Sequence, residues 1–174
     1  MIEENVLRSF QGKNILITGG TGLIGRQVVD ILDKAGANIK IVSLDKIKMD
    51  NRAEYIFGDL TDFNFCKEIT KDIDFVFHLA GIKGSIEVTK SKPASFFVPL
   101  LQFNANVLEA CRLNKVGKIV YTSSIGAYSS AEIFKESENL EGPPMDMFPG
   151  WAKRMAELQV QAYKIQYGLD NFSI

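Results

Sequence analysis

Cysteine, histidine, tryptophan and proline are all scarce in this chain of 174 residues: two, one, one and five. The two thiols, Cys66 and Cys111, lie far apart in sequence and match no metal-ligand spacing. That excludes a disulfide scaffold and a thiolate metal site, so both are expected to be reduced and no metal is expected. Charge of either sign is not in excess: 20 Lys+Arg stand against 21 Asp+Glu, a net charge of -1. Such a balance gives no bulk attraction to nucleic acid or to an acidic membrane. No apolar run approaches the ~20 residues that span a bilayer. The stretch from Met1 to Gln11 carries two acids and no apolar core, which predicts no secretory leader and a cytoplasmic location. What is present is ordinary for a globular domain, with 46% hydrophobic and 24% charged residues. The length predicts a single domain over residues 1–174.

Hydrophobic periodicity organises the chain. Asn14 to Thr18 (NILIT) is a β-branched run between glycines and reads as a buried strand. From Leu23 to Ala35 the spacing is helical, with Leu23, Ile24, Val28, Ile31, Leu32 and Ala35 on one face and Gly36 placed as a left-handed cap. Asn38–Leu44 and Glu54–Phe57 read as strands. Asp62–Thr70 reads as a helix with Thr61 or Asp62 as its N-cap. Asp74–Leu79 and Lys118–Thr122 read as further apolar strands. Between them, Pro93–Asn114 is helical with a break expected at Pro99. Residues 129–149 are rich in Ser and Pro and read as a long loop. Trp151–Tyr167 is a helix whose inner side is expected to hold Ala152, Met155, Ala156, Leu158, Gln159 and Ala162. Asn171–Ile174 opens a sixth strand. Apolar strands alternating with helices predict an α/β fold, a doubly wound parallel sheet covered on both faces.

The segment Thr18-Gly19-Gly20-Thr21-Gly22-Leu23-Ile24-Gly25 joins the first strand to the first long helix. Gly19 permits a sharp turn, Gly22 lets backbone approach a pyrophosphate, and Gly25 lets helix and sheet pack closely. Free N–H groups and the positive end of the helix dipole then face the phosphates. This is a dinucleotide-binding corner in the context that supports one, strand before and helix after. Asp45 ends the second strand, 20 residues beyond Gly25, where a carboxylate can accept hydrogen bonds from the adenosine ribose. It would repel a 2′-phosphate, so NAD is favoured over NADP, with Arg26, Lys46 and Lys48 near enough to soften that repulsion. Asp59, after the third strand, would lie at the same sheet edge and could bond the adenine amino group.

With TGGTGLIG, Asp45, Gly58-Asp59-Leu60, His78-Leu79-Ala80-Gly81 and Tyr121-Thr122-Ser123-Ser124 in order, the chain resembles the extended short-chain dehydrogenase/reductases. These form the NAD-dependent epimerase/dehydratase family, which modifies mostly nucleotide sugars. The resemblance covers nearly the whole chain. It implies a Rossmann-type NAD(P)-binding fold with NAD as cofactor and a nucleotide sugar as substrate. It implies that Gly19, Gly22 and Gly25, with the backbone of Leu23 and Ile24, hold the pyrophosphate. Asp45 would hold the adenosine ribose, Asp59 and Leu60 would flank the adenine, and Leu79, Ala80 and Gly81 would line the cofactor between its riboses. Ser124 would be the catalytic serine, with Ser123 one register away. Lys153 would be the active-site lysine, bonding the nicotinamide ribose and lowering the pKa of a neighbouring tyrosine. His78 occupies a packed strand end near the cofactor, and Trp151, Phe148 and the Phe96-Phe97 pair are expected to be packing residues. Relatives of this kind are often dimers through paired helices, here 93–114 and 151–167.

Three departures qualify the resemblance. The family pairs tyrosine with lysine as Tyr-x-x-x-Lys, one helical turn apart, so that the cation stabilises the phenolate that exchanges the substrate proton. Four residues before Lys153 stands Pro149. Either another group supplies the proton (Tyr128, Lys83, Asp146, a residue beyond 174, or a water held by Ser124 and Lys153), or the reaction is a variant, or the chain is a non-catalytic dinucleotide-binding module. Second, the acid pair that follows the catalytic hydroxyl in 4,6-dehydratases is replaced by Ile125 and Gly126. Asn106-Val107-Leu108 and Ala80 to Ser85 look more like the epimerase and GDP-fucose synthase branches. Third, the chain resembles the cofactor half of an extended member, with the C-terminal substrate lobe absent and the sequence stopping as the sixth strand begins. Both a fragment of a longer protein and a natural short form fit that pattern.

Overall fold

The computed structural model describes residues 2–49, 51–82, 84–138 and 141–174. Lys83, one of the candidate proton sources, lies outside them. Six strands form one sheet: β1 (Asn14–Thr18), β2 (Asn38–Ser43), β3 (Glu54–Phe57), β4 (Phe75–His78), β5 (Lys118–Tyr121) and β6 (Phe172–Ser173). Their order is β3-β2-β1-β4-β5-β6, and every pairing is parallel. The chain winds outward from β1 in one direction, then crosses to β4 and winds in the other. That reversal is the topological switch point where doubly wound sheets bind ligands, at the carboxyl ends of the strands. The expected fold class is therefore the observed one.

The pleat distributes the core. Ile15 and Ile17 of β1 point to one face, with Val29 and Leu32 of α2 (Leu23–Lys34) and Ile39 and Ile41 of β2. Leu16 points to the other, against the larger cluster beneath α3 (Phe63–Ile69), α5 (Ala94–Leu113) and α6 (Pro149–Tyr167). Cys66 and Cys111, distant in sequence, both lie in this second cluster as free thiols. Burial pushes the Cys66 thiol up to about 12, so it is protonated and unreactive at neutral pH.

The element boundaries differ from the expected ones in a few instructive places. A short α1 (Glu4–Arg8) precedes β1, and α4 (Ile86–Ser91) precedes α5; neither has enough apolar periodicity to be read from sequence. Asp62 is the N-cap of α3, its carboxylate accepting from the Asn64 and Phe65 N–H groups. Helix α5 does not break at Pro99 but runs through it. Phe96, Leu100 and Phe103 on either side are buried, and that burial holds the helix together across the missing hydrogen bond. Helix α6 starts at Pro149, where proline costs nothing because a first-turn N–H has no helical partner.

Two helix faces are also corrected. On α2 the buried residues are Gly25, Val29 and Leu32, whereas Leu23 and Ile24 are 79% and 60% exposed and Ile31 is exposed at the margin. On α6 the inner side carries Gly150, Ala152, Arg154, Ala156, Glu157 and Val160, while Met155, Leu158 and Ala162 face outward. Among the described residues, no helix is long and apolar enough to cross a membrane.

Candidate active site

The register places Val42, Thr18, His78 and Tyr121 side by side at the carboxyl ends of β2, β1, β4 and β5. Everything that follows these residues therefore gathers at one edge of the sheet. Gly19 leaves β1 with φ +72°, a left-handed turn that only glycine makes without strain. A Cβ there would also press on the backbone of Ala80 at 3.0 Å. Gly22 is the N-cap of α2 and offers the first amides of that helix no side-chain acceptor. Gly25 is buried against the turn itself, where a Cβ would strike the backbone of Gly19 and Gly20. Gly20, not singled out in the sequence, is tight for a different reason: a Cβ would lie 2.8 Å from the side chain of Ile41.

This corner opens on a cleft of about 560 Å³. Gly19, Thr21 and Gly22 form one end. Ser43 ends β2 with Leu44 and Asp45 after it, Gly58, Asp59 and Leu60 follow β3, and Leu79, Ala80, Gly81 and Ile82 follow β4. The expected cofactor residues thus line one cavity, apart from Leu23, Ile24 and Gly25, which sit beside it in the first turn of α2, and Lys153, which lies outside it on α6. The carboxylate of Asp59 accepts from the Thr61 N–H at 2.8 Å, which fixes the turn after β3. Asn106 of α5 holds the same turn by donating to the carbonyls of Leu60 and Thr61.

Behind the cleft lies a buried polar chain that sequence reasoning saw only in part. The Ala80 N–H donates to Thr18 Oγ1 at 3.2 Å, and Thr18 Oγ1 is 2.7 Å from His78 Nδ1. His78 Nε2 is 3.0 Å from Asn104 Oδ1, and Asn104 Nδ2 donates to the Tyr121 hydroxyl at 3.2 Å. The amide oxygen can only accept, so Nε2 carries the proton and Nδ1 accepts from Thr18. Burial and the nearby Lys153 charge push the His78 pKa down to about 3. The ring is neutral and structural, as expected for this position.

The second group of expected residues lies at the end of β5, outside the cleft lining. Ser124 is exposed, and its Oγ accepts from the Gly126 N–H at 3.2 Å in a 3₁₀ turn over Ile125–Ala127. Ser123 turns the other way and donates to Glu157 Oε1 of α6. Lys153 Nζ donates to the Thr122 carbonyl at 2.7 Å and stands 4.7 Å from the centre of the Tyr121 ring. Burial lowers its pKa to about 8, against the opposing pull of Glu157. Pro149 lies one turn earlier on the same helix.

What brings α6 so close is Gly150, whose absent side chain lets the helix start against the carbonyl of Gly126. Arg154 completes the junction by donating to the carbonyls of Ala127 and Gly142. Gly150, Arg154 and Glu157 were not recognised in the sequence, although their i, i+4, i+7 spacing is that of one helix face. The aromatic pair on this side is packing, as expected: the rings of Phe97 and Phe148 meet edge to face at 5.8 Å.

A profile of the NAD dependent epimerase/dehydratase family matches residues 15–174. The UDP-glucose 4-epimerase of Rickettsia bellii (strain OSU 85-389) is 32% identical over 135 residues, covering 66% of this chain and 37% of that enzyme. An inverting UDP-N-acetylglucosamine 4,6-dehydratase of Campylobacter jejuni is 31% identical over 135 residues, covering 72% of this chain and 40% of its own length. Among solved structures, a UDP-N-acetylglucosamine 4-epimerase from Methanobrevibacter ruminantium M1, in complex with UDP-N-acetylmuramic acid, superposes with a TM-score of 0.77 at 28% identity. The match covers 93% of this chain and 53% of that one. The chain thus spans about half or less of the length of these relatives. Glycine corner, sheet order and family profile agree, and the chain belongs to the NAD dependent epimerase/dehydratase family.

Proposed function

We propose that this chain binds NAD along the carboxyl edge of β1, β2 and β4 and acts on a nucleotide sugar, as an epimerase/dehydratase-type oxidoreductase or isomerase. One observation carries the cofactor reading: the glycine corner is open on its outer side to a cleft of about 560 Å³ whose far end is edged by Asp45 and Asp59. A Cβ at Gly19 would meet the Ala80 backbone, so the corner is shaped for backbone to reach a ligand. The amides of Leu23 and Ile24 hold the diphosphate at the positive end of α2, while the Gly22 N–H closes the turn onto the Gly19 carbonyl. Asp45 accepts from the adenosine ribose, Asp59 and Leu60 bound the adenine, and Leu79, Ala80 and Gly81 line the path toward β5. Bound NAD supplies a reversible hydride acceptor. Ser124 presents an exposed hydroxyl to the reacting sugar oxygen, and Lys153 holds the nicotinamide ribose.

The named activities of the relatives support a UDP-type sugar as substrate. Two copies pair through α5 and α6, which leave Val98, Met155 and Leu158 exposed, and the protein works in the cytoplasm. A second reading rests on Pro149. Without an ionisable group at that place, the chain would be a dinucleotide-binding module that does not turn over.

Calorimetry with NAD and NADP, followed by incubation with UDP-, GDP- and dTDP-sugars and detection at 340 nm and by product mass, separates these readings. Heat with NAD and silence with every sugar selects the module. Gly22→Val should abolish the heat of NAD binding without changing the circular dichroism, because the branched side chain fills the approach to the diphosphate. An unchanged isotherm contradicts the diphosphate assignment. Asp45→Ala should weaken NAD about tenfold, the loss of one charge-assisted bond, and narrow the preference over NADP. Equal affinity of the unmodified chain for both cofactors would overturn the role of Asp45.

A further inference from the structure

We infer that Lys153 itself, anchored on the Thr122 carbonyl, carries the exchangeable proton in this chain, with Glu157 one turn farther along α6 as its neighbouring anion. The inference rests on the proposed NAD-dependent function and concerns how that site works without a phenol.

Helix α6 begins at Pro149, so the turn before Lys153 offers no acid or base. The next turn does. Glu157 is only 2% exposed, with Oε1 accepting from Ser123 and Oε2 without a hydrogen-bond partner among the described residues. A buried carboxylate with a lone oxygen is costly unless its charge serves a neighbour. The charged and titratable groups that surround Lys153 are few. On its own helix there is Glu157; Arg154 is turned away to the carbonyls of Ala127 and Gly142. From β5 it meets the face of Tyr121, whose phenol is pushed up by burial and by Glu157 and stays protonated. From β4 it feels His78, which is neutral. Among the described residues, Glu157 is thus the one anion in this set.

The geometry uses one donor of Lys153, on Thr122 at 2.7 Å, and leaves two. That anchor holds the nitrogen at Thr122, just past β5 and two residues before Ser124 in the chain. Tyr128, by contrast, is packed edge to face on Phe134 at 6.0 Å. Burial brings Lys153 to about 8, so amine and ammonium coexist near neutrality, as a proton shuttle needs. In the oxidising direction the O–H bond of the sugar breaks and its proton goes to the lone pair of the neutral amine. The carbon loses hydride to NAD, the named oxidant. In the reducing direction the ammonium would return the proton as the carbon takes hydride back from the reduced cofactor, so protons and electrons balance. Ser124 donates to the same oxygen throughout and does not change its protonation.

The test is competitive acetylation of the whole chain between pH 6 and 11, with the Lys153 peptide followed by mass spectrometry beside that of exposed Lys118. Lys153 should label with a midpoint near 8. Glu157→Gln removes the anion that favours the ammonium, so the Lys153 midpoint should move lower still. Lys153→Arg keeps the charge but cannot release its proton. It should lose sugar-dependent absorbance at 340 nm with UDP-glucose and UDP-N-acetylglucosamine. An ordinary lysine midpoint in the unmodified chain overturns the proposal, as does turnover by Lys153→Arg or loss of turnover in Asp146→Asn with Lys153 titrating normally. In each of those cases NAD heat leaves the cofactor reading standing. Absence of NAD heat in the unmodified chain removes that reading and the role of Lys153 with it.

Discussion

His78 has both ring nitrogens engaged, one by Thr18 and one by Asn104, and no access to water. Its pKa of about 3 lies below the 6.5 of an unhindered imidazole. The unfolded chain therefore takes up a proton below pH ~6.5 that the folded chain refuses until about pH 3. The stability due to the neutral ring is complete above that window. It falls on acidification through it by about 1.4 kcal/mol per pH unit. Because the sequence has one histidine, a single imidazole proton signal reports this in NMR. It should hold its neutral position from pH 8 down to acid unfolding, and an ordinary titration near 6.5 would contradict the buried network. At this scale the sequence was partly legible. The place of His78 could be read from its strand, but the partners could not, since Thr18, Asn104 and Tyr121 come from three other elements. The same holds for Glu157, which in a linear reading is a solvated helix acid.

Helices α5 and α6 show what patterning can and cannot deliver. Both were found from periodicity, and the caps at Asp62 and Gly36 were found from residue chemistry. The break at Pro99 was not real, because local propensity is a few kcal/mol and three large buried side chains exceed it. A proline inside a helix costs ~3 kcal/mol, whereas burying Phe96, Leu100 and Phe103 contributes ~2 kcal/mol each. Pro99→Ala restores the amide that would donate to Ser95. It should stabilise the fold by about 2 kcal/mol after the loss of the proline's restraint on the unfolded chain, seen as a higher urea midpoint. A lower midpoint would mean that the ring of Pro99 is itself needed for packing. The inner face of α6 was misassigned because its apolar residues are spread around the helix. Met155 and Leu158 looked inward only if hydrophobicity decided, but Gly150, Arg154 and Glu157 face the loop and strand end that they hold in place.

For the whole molecule, the parallel order β3-β2-β1-β4-β5-β6 puts one polar edge to use. The outward faces of α5 and α6 keep apolar side chains, Leu158 at 40% and Val98 at 46% exposure. If these faces pair two copies, light scattering should give twice the chain mass of 19.4 kDa. Leu158→Lys should then halve it, since an unpaired ammonium cannot be buried cheaply. A monomer in the unmodified protein would exclude the pairing.

By itself the sequence determined the α/β class, the glycine corner, the acids at the strand ends and the absence of the expected phenol at Pro149. These are local matters, fixed by strand and helix periods and by the residue that follows each strand. Only the tertiary structure decided which polar groups meet. It set Glu157 against Ser123, Lys153 against Thr122, and His78 between Thr18 and Asn104, because parallel strand register and the closeness of α6 at Gly150 align groups from distant segments. Burial, which moves Lys153 toward neutrality, is likewise a property of the assembled layers and belongs to no stretch of chain alone.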